Sequence, residues 1–245
     1  MPEAPIQLSL GISLLDDATF SNFYAVDDAA SQLVASLRAL AEGREASSHV
    51  IWGAPGCGIT HLLQAACHHA HAVGRSVQYL PVRDIRGYAA DDICEGLEAT
   101  QLVCLDGLEL ICGDKNWELA LFHLFNRLRD AGHGLLLAAH TSPAALPVVL
   151  PDLKSRVLGS VVYQVGSLDD DDKQAALIMR AAARGLQMPN DVAKFILNRS
   201  SRDMNDLFVL LNRLDESSMR QQRKLTIPFV KEVFGTPLPG QVKSY

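Results

Sequence analysis

The chain has 245 residues, 48% of them hydrophobic and 20% charged, which is enough to bury a full core and describes an ordinary globular protein. A net charge of −6 argues against a strong direct grip on DNA, which needs clustered Lys and Arg to displace counterions. No apolar run reaches the roughly 18–20 residues of a membrane span, and the N-terminus lacks the basic start and apolar core of a signal peptide.

Residues 1–15 read as a tail of mixed character, containing Gln7-Leu8-Ser9-Leu10. From Ser31 to Leu40 apolar residues recur at helical spacing (Leu33, Val34, Leu37, Leu40), and Gly43 follows where a helix would stop. Five short apolar runs, 49–53, 76–82, 101–106, 134–139 and 160–165, read as buried strands. Helical patterns separate them at 60–72, 91–99, Trp117 to Ala131 and near Leu153. Strands alternating with helices predict a parallel sheet covered on both faces. After Val165 the period is helical throughout: 167–184, 189–199, 203–222 and 226–234. The expected organisation is a tail (1–15), an α/β domain (16–166), an all-helical domain (167–234) and a loose C-terminal tail (235–245).

The five cysteines (57, 67, 94, 104 and 112) form no C-x-x-C pair and sit largely in apolar runs, as expected of reduced, buried thiols in a cytoplasm. The acidic run Asp169 to Asp172 opens a helix, where the helix dipole favours carboxylates, and is not read as a metal site. His68, His69 and His71 are read as a solvated helix end.

The chemistry lies in the segment Gly53-Ala54-Pro55-Gly56-Cys57-Gly58-Ile59-Thr60. It follows the phosphate-loop form G-x-x-x-x-G-K-[ST] except that isoleucine occupies the lysine position. An apolar run precedes it and a helical run starting at His61 follows, the strand–turn–helix setting such a loop requires. Downstream, Gln101-Leu-Val-Cys-Leu-Asp106 is an apolar strand ending in a carboxylate, the form of a Walker B element. Thr60 and Asp106 are therefore the candidate magnesium ligands.

Thr19-Phe-Ser-Asn-Phe23, Leu-Asp-Gly-Leu-Glu109, Leu153-Lys-Ser-Arg156 and Gln222-Arg-Lys-Leu-Thr-Ile-Pro-Phe-Val-Lys-Glu232 stand in the order and spacing of one family. From Gln7 to about Phe234 the chain resembles the DnaA-like AAA+ family, and within it the short Hda group. The resemblance implies an AAA+ phosphate-loop module, a parallel five-stranded sheet flanked by helices, followed by a small helical lid with nucleotide between the two. It implies Asn22, Phe23 and Tyr24 as base-pocket residues and Met204 and Asn205 as the lid's sensor stretch. It also implies Arg156 as an arginine finger acting on a neighbouring subunit. Gln7, Leu8, Ser9 and Leu10 resemble the peptide that docks into the DNA polymerase III sliding clamp, a short extended segment with apolar anchors.

Four departures from the family pattern set the expectation for chemistry. Ile59 replaces the lysine, Gly107 stands where initiators carry a second acid, His140 where they place a γ-phosphate-sensing Asp, and Asn205 where they carry an arginine. Each cationic hydrogen-bond donor that is missing weakens phosphate binding by roughly 1.5–3 kcal/mol, mostly for a triphosphate. The expectation is a bound nucleoside diphosphate, ADP first, with magnesium an optional companion and little intrinsic turnover. The implied role is to stimulate ATP hydrolysis by DnaA and so restrain replication initiation. The competing reading is an intrinsic AAA+ ATPase such as a helicase loader or initiator-like protein. Residue order specifies neither the base nor whether the chain forms a homo-oligomer.

Overall fold

The computed structural model describes residues 18–200 and 203–235. Five parallel strands, β1 (Ser48–Trp52), β2 (Val77–Pro81), β3 (Leu102–Asp106), β4 (Gly134–Ala139) and β5 (Val161–Gln164), form one sheet in the order β2-β3-β4-β1-β5. Successive side chains on a strand point to opposite faces, and the central strands are apolar on both. Val103, Leu105, Leu135 and Leu137 enter one core, whereas Leu102, Cys104, Leu136 and Ala138 enter the other.

Helices α1 (Asp28–Ala41) and α2 (Ile59–Ala72) cover the second face. On the first lie α3 (Val82–Ile85), α4 (Ala90–Cys94), α5 (Lys115–Asp130) and α6 (Pro151–Leu158). The helical pattern expected at 91–99 is interrupted. Gly96 takes φ +75°, ending α4 and starting a 3-10 turn at Leu97–Ala99. Helix α5 begins at Lys115, capped by Asp114, whose side chain accepts from Asn116 and Trp117 N–H.

Four helices follow the sheet: α7 (Asp170–Ala183), α8 (Asn190–Arg199), α9 (Met204–Gln221) and α10 (Ile227–Gly235). They bury their own apolar cluster, with Leu177, Ile196, Leu207, Leu211 and Phe229 at its centre. The cap of α7 is Asp169, which accepts from Asp172 N–H at 2.8 Å, and the next three acids lie in the first turn. The acidic run therefore serves the helix end. Among the described residues no cluster of three or more His, Cys, Asp or Glu side chains could hold a metal, and all five cysteines are free. Nor is any described helix long and apolar enough to cross a membrane.

Two buried polar side chains serve the frame. His49, inside β1 and fully buried, meets Ser36 Oγ through Nε2 at 2.9 Å and stacks on Tyr163. Glu118, 1% exposed, accepts backbone N–H groups from Gly113 (2.7 Å), Val149 (3.0 Å) and Leu150 (2.6 Å). That carboxylate ties the turn after β3 to the segment that enters α6.

Candidate functional site

The phosphate loop joins β1 to α2. Gly53 N–H donates to Ala139 O at 3.2 Å, continuing the β1–β4 ladder by one residue. A β-carbon on Gly53 would lie 2.5 Å from Val165 O and 2.6 Å from Cys57 Sγ, so no larger residue fits there. Gly56 and Gly58 take φ +80° and +97°, which curls the backbone, and Gly58 precedes α2 with no side-chain cap. The first N–H groups of α2 are thus left for a ligand, at the positive end of the helix.

Ile59 does not face that opening. Its side chain is 2% exposed and packs into the core with Leu62, Leu63 and Leu33, so it offers a ligand only its backbone N–H. Cys57 is likewise turned inward, and burial pushes its thiol pKa up. Ala54 and Pro55 form the exposed outer bend of the loop.

Thr60 Oγ1 donates to Asp106 Oδ2 at 2.9 Å, which brings the two candidate magnesium ligands together across α2 and β3. A third residue, unsuspected from the sequence, shares that oxygen: the Tyr79 hydroxyl donates to it at 2.7 Å. Burial first, and the neighbouring Asp106 charge second, push the Tyr79 phenol well above its usual range, so it stays a donor. In donor chemistry, a hydroxyl and a carboxylate side by side at the loop's end fit magnesium.

Past Asp106 the chain turns through Gly107, at φ +96°, into a 3-10 turn at Leu108–Leu110. This returns Glu109 to the sheet, where its Oε2 accepts His140 N–H at 3.2 Å. The His140 ring is held by Gly53 O, 3.2 Å from Nδ1. An acid displaced by two residues from the usual second position thus still reaches the end of β4. The turn at Gly107 makes that possible; Asp106-Gly107 reads as a turn in the sequence, but where it carries Glu109 does not.

Beside the loop lies a cleft, partly open to solvent. Asn22, Phe23 and Tyr24 line one wall, and Gly56, Gly58 and His61 the floor. Gln164 and Val165 at the end of β5 close the back, and Leu168, Met204 and Phe208 of the helical part form the roof. The wall is fixed by two bonds. Thr19 N–H donates to Asn22 Oδ1 at 3.1 Å, and His61 Nε2 meets Thr19 O at 2.9 Å, its ring 6.0 Å from Phe23. Behind the roof, the buried Arg180 guanidinium stacks 4.4 Å from the Phe208 ring. Phe20 is core: it is 6% exposed and packs between Arg38 and His69. Met204 is one of the lid residues expected from the sequence; Gln164, Val165, Leu168 and Phe208 were not anticipated, because single residues at a strand end or on a helix carry no motif.

Arg156 stands elsewhere. It lies in the last turn of α6, half-buried, in a groove with Ser47, Ser48, Arg129, His133 and Gly159. Ser47 and His133 precede β1 and β4, so the groove is at the start of the strands, while the phosphate loop is at their end. A five-residue strand spans roughly 16 Å. Among the described residues the Arg156 guanidinium has no ion pair or hydrogen bond. Gln7, Leu8, Ser9 and Leu10 lie outside the described residues, as does the side chain of Asn205.

Residues 14–164 match the family model of the bacterial DnaA ATPase domain, and residues 170–234 match that of the Hda lid domain. The chain belongs to the DnaA-like AAA+ family. Domain III of the Thermotoga maritima initiator DnaA is similar in structure, with a TM-score of 0.73 at 20% identity over 91% of this chain and 97% of that one. AMPPCP-bound DnaA from Aquifex aeolicus gives 0.69 at 22% identity, covering 86% of this chain and 71% of that one. The Thermotoga maritima branch-migration motor RuvB gives 0.66 at 15% identity, covering 91% and 72%. At these identities the structural likeness speaks for the fold alone, a parallel five-stranded AAA+ sheet followed by a helical lid.

Proposed function

We propose that this protein is a regulator of replication initiation: a diphosphate-holding, clamp-tethered AAA+ factor that lends Arg156 to a neighbouring DnaA–ATP subunit and so speeds hydrolysis there. The observation that carries the reading is the position of Arg156, a guanidinium without a partner among the described residues, at the end of the sheet remote from its own phosphate loop. A structural salt bridge would need an acid beside it. A finger acting on its own nucleotide would need to sit at the other end of the strands.

The chain's own site supports holding more than cutting. The backbone nest, the α2 N-terminus and the cleft suit a diphosphate and a base. The side chain at the lysine position is in the core, so no cation from that position reaches a third phosphate. Initiator relatives have been solved with a triphosphate analogue, AMPPCP, which supports nucleotide as the ligand class. Gln7 to Leu10 supply the clamp tether, and the free cysteines suit a cytoplasmic setting. Thr60 and Asp106 are the residues that would hold magnesium, which when bound would shield phosphate charge.

In the neighbouring subunit, a guanidinium at the transferred phosphoryl neutralises charge that develops there, an effect worth about 10³–10⁵ in rate. The test has two arms. Mass spectrometry of nucleotide released from purified protein should find a nucleoside diphosphate. Purified DnaA–ATP mixed with this protein and the clamp should hydrolyse faster than DnaA alone. A protein that turns over ATP at about 10 s⁻¹ unaided would instead be the intrinsic ATPase.

A further inference from the structure

One carboxylate of the lid reaches the phosphate loop. Asp203 directly precedes Met204, the first residue of α9, and so stands at the N-cap position of that helix. Its side chain crosses to the loop. The three atoms nearest to where a β-carbon on Gly56 would sit are its own carboxyl atoms: Oδ2 at 3.0 Å, Cγ at 3.7 Å and Oδ1 at 4.0 Å. Gly56, at φ +80°, belongs to the curled backbone that faces an anion. Where a phosphate loop ordinarily gathers cations, this one has Ile59 turned into the core and an acid approaching from above.

We infer that Asp203 is a specificity-determining residue that limits the number of phosphates the site accepts, by repelling the charge a triphosphate adds over a diphosphate. The inference rests on the nucleotide reading above and deepens it. A diphosphate satisfies the N–H groups of the loop and the start of α2. Any further phosphate charge brought to the loop is placed in the field of the Asp203 carboxylate at Gly56. Asp203 is exposed, so water and salt screen the repulsion. An effect of about three- to tenfold on affinity is the appropriate scale for one screened like-charge pair.

Asp203→Asn separates charge from structure, because asparagine caps a helix as well as aspartate does. Calorimetric Kd values for ADP and ATP, on the full chain at low salt, should show ATP binding tightened about three- to tenfold while ADP changes much less. The gap between wild type and variant should shrink in about 0.5 M salt. Asp203→Ala should move the ADP-to-ATP preference in the same direction and also lower the melting temperature, because alanine cannot cap the helix. If Asp203→Asn leaves the preference unmoved, or shifts both nucleotides equally, Asp203 is a helix cap only and the inference is overturned while nucleotide binding stands. If the wild type binds neither nucleotide, the proposed function and this inference fall together.

Discussion

Thr60 and Asp106 are joined directly: the threonine hydroxyl donates to Asp106 Oδ2 at 2.9 Å, on the oxygen that also takes the Tyr79 hydroxyl. Three elements, α2, β2 and β3, therefore meet on one carboxylate atom at the foot of the phosphate loop. Tyr79→Phe removes one of its two donors and keeps the ring. It should cost about 1–2 kcal/mol of stability and leave Asp106 freer to serve a cation. The expected result is a lower urea midpoint together with a steeper magnesium dependence of nucleotide affinity. An unchanged magnesium dependence would mean that Tyr79 only packs.

Restoring the lysine has a cost that the loop motif alone does not announce. Ile59 fills core space, and removing a buried aliphatic side chain costs about 1.5–3 kcal/mol. Ile59→Lys should therefore melt lower than wild type without nucleotide. It should also bind ATP more tightly, with a gain larger than that for ADP, and saturating ATP should restore much of the melting temperature. Equal gains for both nucleotides would contradict the idea that the absent cation serves the third phosphate.

Arg156→Ala should keep the wild-type melting temperature and nucleotide content, because the guanidinium has no partner among the described residues. Stimulation of DnaA hydrolysis should fall by about 10³-fold or more. Arg156→Lys should rescue little, since an ammonium lacks the planar fork of the guanidinium. Stimulation and melting measured on one preparation decide the matter. Full stimulation by well-folded Arg156→Ala would sink the trans role.

Replacing Gln7 and Leu8 by alanine should abolish retention on the immobilised clamp and leave thermal melting unchanged. Undiminished retention would mean that Gln7 to Leu10 are not a clamp-docking segment.

His49 predicts an acid limb of stability. Burial lowers its pKa in the folded protein, with Glu45, 4.0 Å away, opposing this only in part. The unfolded chain then binds the proton more readily than the folded one, near the usual histidine value of about 6.5. Stability is fully present above that pH, falls as the pH drops below it, and levels off once the folded-state pKa is passed. Urea midpoints between pH 8 and pH 5 should show this fall, and His49→Gln should flatten it while lowering stability throughout.

The five strands are legible in the sequence because both faces of the sheet are covered, so each strand is a short continuous apolar run. The phosphate loop is legible because its glycines and threonine hold fixed spacing. Tyr79 is not, because its bond to Asp106 depends on how β2 and β3 lie side by side, Pro81 beside Asp106 and Tyr79 beside Cys104. No residue order encodes that register. Glu109 is hidden by the left-handed turn at Gly107, and Asp203 by the fold-back of the lid onto the loop. What local pattern carries is legible; what depends on two distant segments meeting is not.

Glu118 gives the Arg156 helix its mechanical character. A single acid grips the N–H groups of Val149 and Leu150, immediately ahead of α6, and of Gly113, beyond the turn that leaves Asp106. The α6 arm is thereby a braced strut and not a swinging one. The position of Arg156 is thereby set inside this chain, and in the trans role proposed above it is the neighbouring subunit whose approach would have to adjust to meet it.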